Sequence, residues 1–167
     1  QRRFNPKGPN CVWCGDITYI LTDEGWMYLA VFIDLYSRKV VGWATSRCLT
    51  KELALRAFRQ ALLIRNPPPG LIVHTDRGSQ YSSDDFIRLA ESSKLTLSMS
   101  RRGNCWDNAV VESFFASLKR ELIKGERFAT RWVLDREIAH YIDVYYNTER
   151  MHSTLDYVSP LEYESKN

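Results

Sequence analysis

A chain of 167 residues, 44% hydrophobic and 13% aromatic, is the right size for one domain with a sizeable core, which excludes a disordered chain. No apolar run approaches the roughly 20 residues that span a bilayer, and the first residues lack the apolar segment of a signal peptide, so the reading is a soluble, cytoplasmic protein. A formal net charge of +3 is too mild to announce a nucleic-acid binder by composition, so such a role must be read from where the charges lie.

The chain opens Gln1-Arg2-Arg3 without a methionine and runs through Asn5, Pro6, Gly8 and Pro9. Residues 1–10 are therefore expected to be a linker from a longer protein, with a core over 11–147 and a tail over 148–167. Val12 to Leu21 is a strand containing Asp16, and Thr22-Asp23-Glu24-Gly25 is a turn. Trp26 to Asp34 is almost wholly apolar, as a strand covered on both faces must be. Lys39 to Ser46 makes a third strand, so the opening is an antiparallel meander. Leu55, Phe58 and Leu62, capped by Thr50 and stopped by Asn66-Pro67-Pro68-Pro69-Gly70, make a crossover helix. The fourth strand, Leu71 to Asp76, ends in an acid. Ser83 can cap a second helix, which leads to a fifth strand at Leu95 to Met99. Beyond the loop Ser100-Arg101-Arg102-Gly103, Asp107 can cap a third helix whose Val111, Phe114, Phe115, Leu118 and Leu122 form a buried stripe. A last helix, about Arg131 to Tyr146, is expected to bury Leu134, Ile138, Tyr141, Ile142 and Tyr145.

That order is α/β, with a five-stranded mixed sheet of three antiparallel strands then two parallel ones, flanked by helices. Cys11 and Cys14 have the spacing of a zinc pair, but no second pair completes a set, and residues three apart on a strand face opposite ways. Reduced, mostly buried thiols are the expectation for the four cysteines.

Open sheets carry their sites at the carboxyl ends of parallel strands, where Asp76 falls. If the crossover lays the fourth strand beside the first, Asp16 is its neighbour, and the third helix, packed across that end, brings Glu112 within reach of both. Three carboxylates in one cleft call for a cation, and an oxygen-only ligand set favours Mg²⁺ or Mn²⁺. At about 100° per residue, Asn108, Glu112 and Lys119 lie within roughly 40° of one another on the helix. Arg101, Arg102, Lys119, Arg120, Lys124, Arg127, Arg131 and Arg136 crowd the same region and could line it with positive charge. Taken singly, each residue has a plainer reading: Asp16 an edge-strand charge, Asp76 a turn residue, His74 a satisfied core histidine, Arg150 and His152 caps or ion pairs of the last helix.

Several stretches together carry a resemblance. Trp13, Asp16 and Thr18, the run His74-Thr75-Asp76-Arg77-Gly78-Ser79-Gln80-Tyr81, and Asp107-Asn108-Ala109 with Glu112-Ser113-Phe114-Phe115 and Leu118-Lys119 resemble the transposases of bacterial insertion sequences related to retroviral integrases. Thirty-five residues separate Asp76 from Glu112, the spacing characteristic of that Asp-Asp-Glu family. Tyr145-Tyr146-Asn147, Arg150, His152 and Ser159-Pro160 resemble the family's end. The resemblance implies a ribonuclease-H-like fold and a transposase that cuts a phosphodiester at an element's end and joins the freed 3′-hydroxyl to target DNA. It implies two Mg²⁺ or Mn²⁺ ions held by Asp16, Asp76 and Glu112 as catalytic residues, Asn108 supporting them and Lys119 touching the element's end. Arg101, Arg102 and Arg120 are the further DNA-contact candidates. It also implies a DNA-binding region upstream, a homo-oligomer assembled on DNA, no membrane, and a bacterial cytoplasmic, nucleoid-associated location. Two alternatives stay open from the residues: a nuclease of the same fold that hydrolyses without joining, and a non-catalytic DNA-binding or assembly module.

Overall fold

The computed structural model describes residues 6–99 and 109–166. Asp107, Asn108, Arg101, Arg102 and Cys105 lie outside the described residues. Five strands form one sheet in the order β3-β2-β1-β4-β5. β1 (Val12–Thr22), β2 (Gly25–Asp34) and β3 (Val40–Ser46) are the antiparallel meander, and β4 (Ile72–Thr75) and β5 (Thr96–Met99) add in parallel on the far side of β1. Both expectations, the mixed sheet and the crossover that sets the fourth strand beside the first, are met.

Because strand side chains alternate, β1 and β2 feed two cores at once. Trp13, Ala30 and Phe32 point to the face covered by α1 (Lys51–Arg65) and α2 (Asp84–Ser92), where Phe58 and Phe86 meet them. Cys14, Leu29, Val31 and Ile33 point to the other face, under α3 (Ala109–Leu118) and α4 (Arg131–Ala139). Thr50 stands at the start of α1 without a side-chain capping bond, whereas Ser83 caps α2 by accepting from the Phe86 N–H at 3.4 Å. α1 lies unusually close to β3, since a Cβ on Gly42 would run into the Ala57 carbonyl oxygen and the Ala61 side chain.

Both helices of the second layer end in wide turns. α3 continues as a π-helical turn, Lys119–Ile123, and α4 as a π-helical stretch, His140–Glu149. Bonds five residues apart mark them: the Lys124 N–H donates to the Lys119 carbonyl at 2.9 Å, and the Arg150 N–H to the Tyr145 carbonyl at 2.7 Å. A wider turn rotates later side chains relative to an α-helix. This corrects the expected stripe, for Tyr145 is 37% exposed and Tyr146, at 3%, takes the buried place. Asn147 follows it inward and clamps the sheet, accepting from the Val40 N–H at 2.9 Å and donating to the Val40 carbonyl at 3.0 Å. The tail adds two elements that the periodicity did not anticipate, a 3-10 turn at Ser153–Leu155 and α5 (Pro160–Lys166).

The cysteine expectation is half right. Cys14 is buried in β1, but Cys11 and Cys48 are exposed, because both sit in bends outside the strands, where no layer covers them.

Candidate active site

β1 outruns β4. Their parallel pairing ends at Gly15 opposite Thr75, so the next residues, Asp16 and Asp76, leave the two strands side by side at the carboxyl end of β4. They line one open cleft of about 200 Å³ together with Ile17, Tyr19, Tyr28, Leu49, Gln80 and Tyr81. Each carboxylate is anchored by a backbone amide: the Ile17 N–H donates to Asp16 Oδ1 at 2.8 Å, and the Gly78 N–H donates to Asp76 Oδ1 at 2.9 Å. The second bond folds the loop tightly over the acid. A Cβ at Gly78 would stand 2.9 Å from both Asp76 Oδ1 and Gln80 Oε1, so a side chain there would make these side-chain ends shift.

Glu112 stands on the other layer, where its charge acts on Asp16, but it is not among the residues that line the cleft. It lies on the exposed side of α3, whose Val111, Phe114, Phe115 and Leu118 are buried against the sheet. Burial, and then the negative charges of Asp76 and Glu112, push the Asp16 carboxyl up to about 6 against the opposing bond from Ile17. Asp16 therefore senses both other acids. Among the described residues, however, no three His, Cys, Asp or Glu side chains stand close enough to hold one ion together. The donor set suits a hard divalent cation, since the paired acids offer only oxygen and carry the mutual repulsion that such a cation relieves.

A carboxyl whose pKa is raised on folding destabilises the native state when ionised. The native state holds its proton more tightly than the unfolded chain between pH 3.8 and about 6, so stability from this group falls as pH rises through that window. Without divalent metal, Asp16→Asn is expected to stabilise the chain by about 2 kcal/mol at pH 7 and by almost nothing below pH 4. Urea unfolding at pH 4, 5, 6 and 7 measures this; a gain independent of pH would remove ionisation as its cause.

Lys119, the first residue of the π-helical turn, holds its Nζ 5.7 Å from the Tyr19 ring centroid, and Tyr19 lines the cleft. That brings the expected cation to the rim. The other basic candidates are partly spoken for. Arg120 pairs with Glu121 at 3.2 Å, Arg127 with Asp23 at 3.9 Å, and Arg136 stacks on Trp132 at 5.0 Å. Arg131 donates to the Glu24 and Trp26 carbonyls and so ties α4 to the β1–β2 turn. His74 is a buried core histidine whose Nδ1 shares a hydrogen bond of 3.1 Å with Ser98 of the adjacent strand.

The Arg150 side chain reaches beyond its own helix. It donates to both oxygens of Glu121 at 2.8–3.2 Å, and to Ser117, from the end of the π-helical stretch, while the Tyr141 hydroxyl donates to Glu121 at 2.8 Å. These bonds, Arg150 foremost, hold the Glu121 carboxyl down at about 2. The family-like tail thus locks the far end of the helix that carries Glu112 and Lys119. The cleft residues without an assigned role in the sequence were Ile17, Tyr19, Tyr28, Leu49, Gln80 and Tyr81; the last two stand in the run that follows Asp76, which was the available signal.

Comparison with known proteins follows the same lines. Models of the integrase core domain match residues 6–105 and 112–167. The transposase for insertion sequence element IS904 of Lactococcus lactis subsp. lactis (strain IL1403) is 51% identical over 164 residues, covering 98% of this chain and 65% of that protein. Transposase InsF for insertion sequence IS3A of Escherichia coli (strain K12) is 49% identical over 167 residues, covering 100% of this chain and 58% of that protein. The chain thus spans less than two thirds of the length of these curated relatives. In three dimensions it is similar to the HTLV-2 integrase catalytic core domain solved in complex with magnesium, with a TM-score of 0.75 at 22% identity over 95% of this chain and 98% of that one. It is also similar to a chain of the simian T-cell lymphotropic virus intasome, with a TM-score of 0.77 at 20% identity over 94% of this chain and 55% of that one. At such identities the structures speak for the ribonuclease-H-like fold, and the family models with the half-identical relatives speak for descent: this chain belongs to the integrase core domain family, alongside the transposases of insertion sequences.

Proposed function

We propose that this domain cuts a phosphodiester at the end of a mobile element and joins the freed 3′-hydroxyl to target DNA, with Asp16, Asp76 and Glu112 as its metal ligands. The observation that carries the reading is the placing of Asp16, within β1, beside Asp76, just past the carboxyl end of β4, in an open cleft where Asp16 also senses Glu112. Two Mg²⁺ or Mn²⁺ ions bound there would activate the attacking oxygen and stabilise the leaving one. The chain's own contribution is to hold its ligands still. Backbone amides orient Asp16 and Asp76 from below, and the lock of Arg150 on Glu121 steadies α3. The cleft is open, so a duplex end can lie across it. The magnesium in the HTLV-2 core supports the choice of ion, and the dimeric and trimeric forms solved for that core support a homo-oligomer on DNA. Among the described residues no helix is long and apolar enough to cross a membrane.

The deciding experiment incubates the protein with labelled, pre-cut element ends, a target plasmid and Mg²⁺ or Mn²⁺. Joined product is expected; hydrolysis without joining would replace this reading by a nuclease, and neither product would leave a binding module.

Lys119 at the rim is the residue proposed to meet a backbone phosphate. Because neutralising one phosphate releases about one counterion, Lys119→Ala should weaken binding of an element-end duplex and flatten the salt dependence of log K by about 0.9. Metal affinity should not change. An unaltered slope across a salt series would show that this lysine only covers Tyr19.

A further inference from the structure

Tyr81 sits five residues after Asp76, and its N–H closes the intervening loop by donating to the Gly78 carbonyl at 3.0 Å. Its ring is core: 1% exposed, and edge-on to Phe32 and Phe86 at centroid distances of 6.2 and 5.5 Å. Phenylalanine would fill that position equally well. The hydroxyl, by contrast, is buried with no hydrogen-bond partner among the described residues. Such a group is destabilising and calls for an explanation.

The residue lines the same cleft as Asp16 and Asp76. Burial, and then the charges of those two aspartates, raise the phenol well above its ordinary range, so it keeps its proton and can donate it to an anion. The charges of both aspartates act on this donor, which hydrogen-bonds to neither of them.

We propose that Tyr81 is a positioning residue of the cation site, its hydroxyl donating to the carboxylate of Asp16 or Asp76 when these hold a divalent ion. This rests on the reading of the two aspartates as metal ligands. Groups that orient ligands in this way contribute about 10- to 100-fold to metal affinity. The apparent waste of a buried hydroxyl is then a cost borne by the metal-free protein and recovered on binding.

The test needs no DNA. The chain, Tyr81→Phe and Asp76→Asn are titrated with Mn²⁺ by calorimetry, and their melting temperatures are measured with and without the ion. Tyr81→Phe is expected to melt at or above the parent without Mn²⁺, to bind Mn²⁺ about tenfold more weakly, and to gain less from it. A purely structural tyrosine would give the opposite pattern: a lower melting temperature without metal and an unchanged affinity, which would overturn the proposal. Asp76→Asn separates the two failures. If it loses Mn²⁺ binding while Tyr81→Phe binds like the parent, the role of Tyr81 alone is wrong. If Asp76→Asn and Tyr81→Phe both bind like the parent, or the parent takes up no Mn²⁺ at millimolar concentration, the cation site itself is wrong and the inference falls with it.

Discussion

Asp76→Asn and Glu112→Gln are each expected to lower strand joining by roughly a thousandfold or more while leaving the fold intact. The amide keeps the shape of the side chain and, in Asp76→Asn, an oxygen that can still accept from the Gly78 N–H, so the loop retains its anchor. Lost is the negative charge that a divalent cation requires. Both residues are exposed, so neither change opens a cavity, and removing one of several like charges relieves repulsion when no metal is bound. Joining assays with pre-cut ends, run beside melting curves, test both halves of the expectation. Wild-type joining in either variant would strike that residue from the metal site. A collapse of melting temperature would instead assign it a structural role.

The largest effect on stability is expected at Gly42, far from the chemistry. Its missing side chain is what allows α1 to rest on β3, with the Ala57 carbonyl oxygen and Ala61 occupying the space a Cβ would need. A carbonyl oxygen on a helix cannot rotate away as a side chain can. Gly42→Val must therefore lift the helix or distort the strand, at a cost of about 3 kcal/mol, whereas Gly8→Ala, with nothing within 4 Å of the added Cβ, should be nearly neutral. Urea midpoints compare the two. A valine variant within about 1 kcal/mol of the parent would mean that the helix yields easily and that the small pair Ala57 and Ala61 is not a packing device.

The elements themselves were legible in the sequence because each is decided by near neighbours. The apolar run Trp26 to Asp34 and the three-and-four spacing of Val111, Phe114, Phe115 and Leu118 mark a buried strand and a helix face whatever the chain does elsewhere. The three acids, with their spacing and the words around them, were equally visible, since residue type and separation along the chain carry that information. Their meeting was conditional. Asp16 and Asp76 are neighbours only because the crossover returns β4 to the open side of β1, a matter of long-range pairing on which local periodicity is silent.

Packing settled the rest. Tyr146 rather than Tyr145 is buried because the helix widens by one residue per turn, and that widening brings Asn147 onto the backbone of Val40. An α-helical wheel cannot foresee a change of pitch paid by a hydrogen bond to a distant strand. Arg150 finds Glu121 across 29 residues, and Tyr81 brings a buried hydroxyl to the cleft, through contacts between layers rather than along the chain. The sequence by itself determined the five strands and the positions of α1 to α4, and it picked out the three candidate acids, all of which rest on side-chain periodicity and chemistry. Only the tertiary structure decided which strand ends lie together, which tyrosine turns inward and which polar groups share the cleft, because those depend on the free energy of packing distant segments against one another.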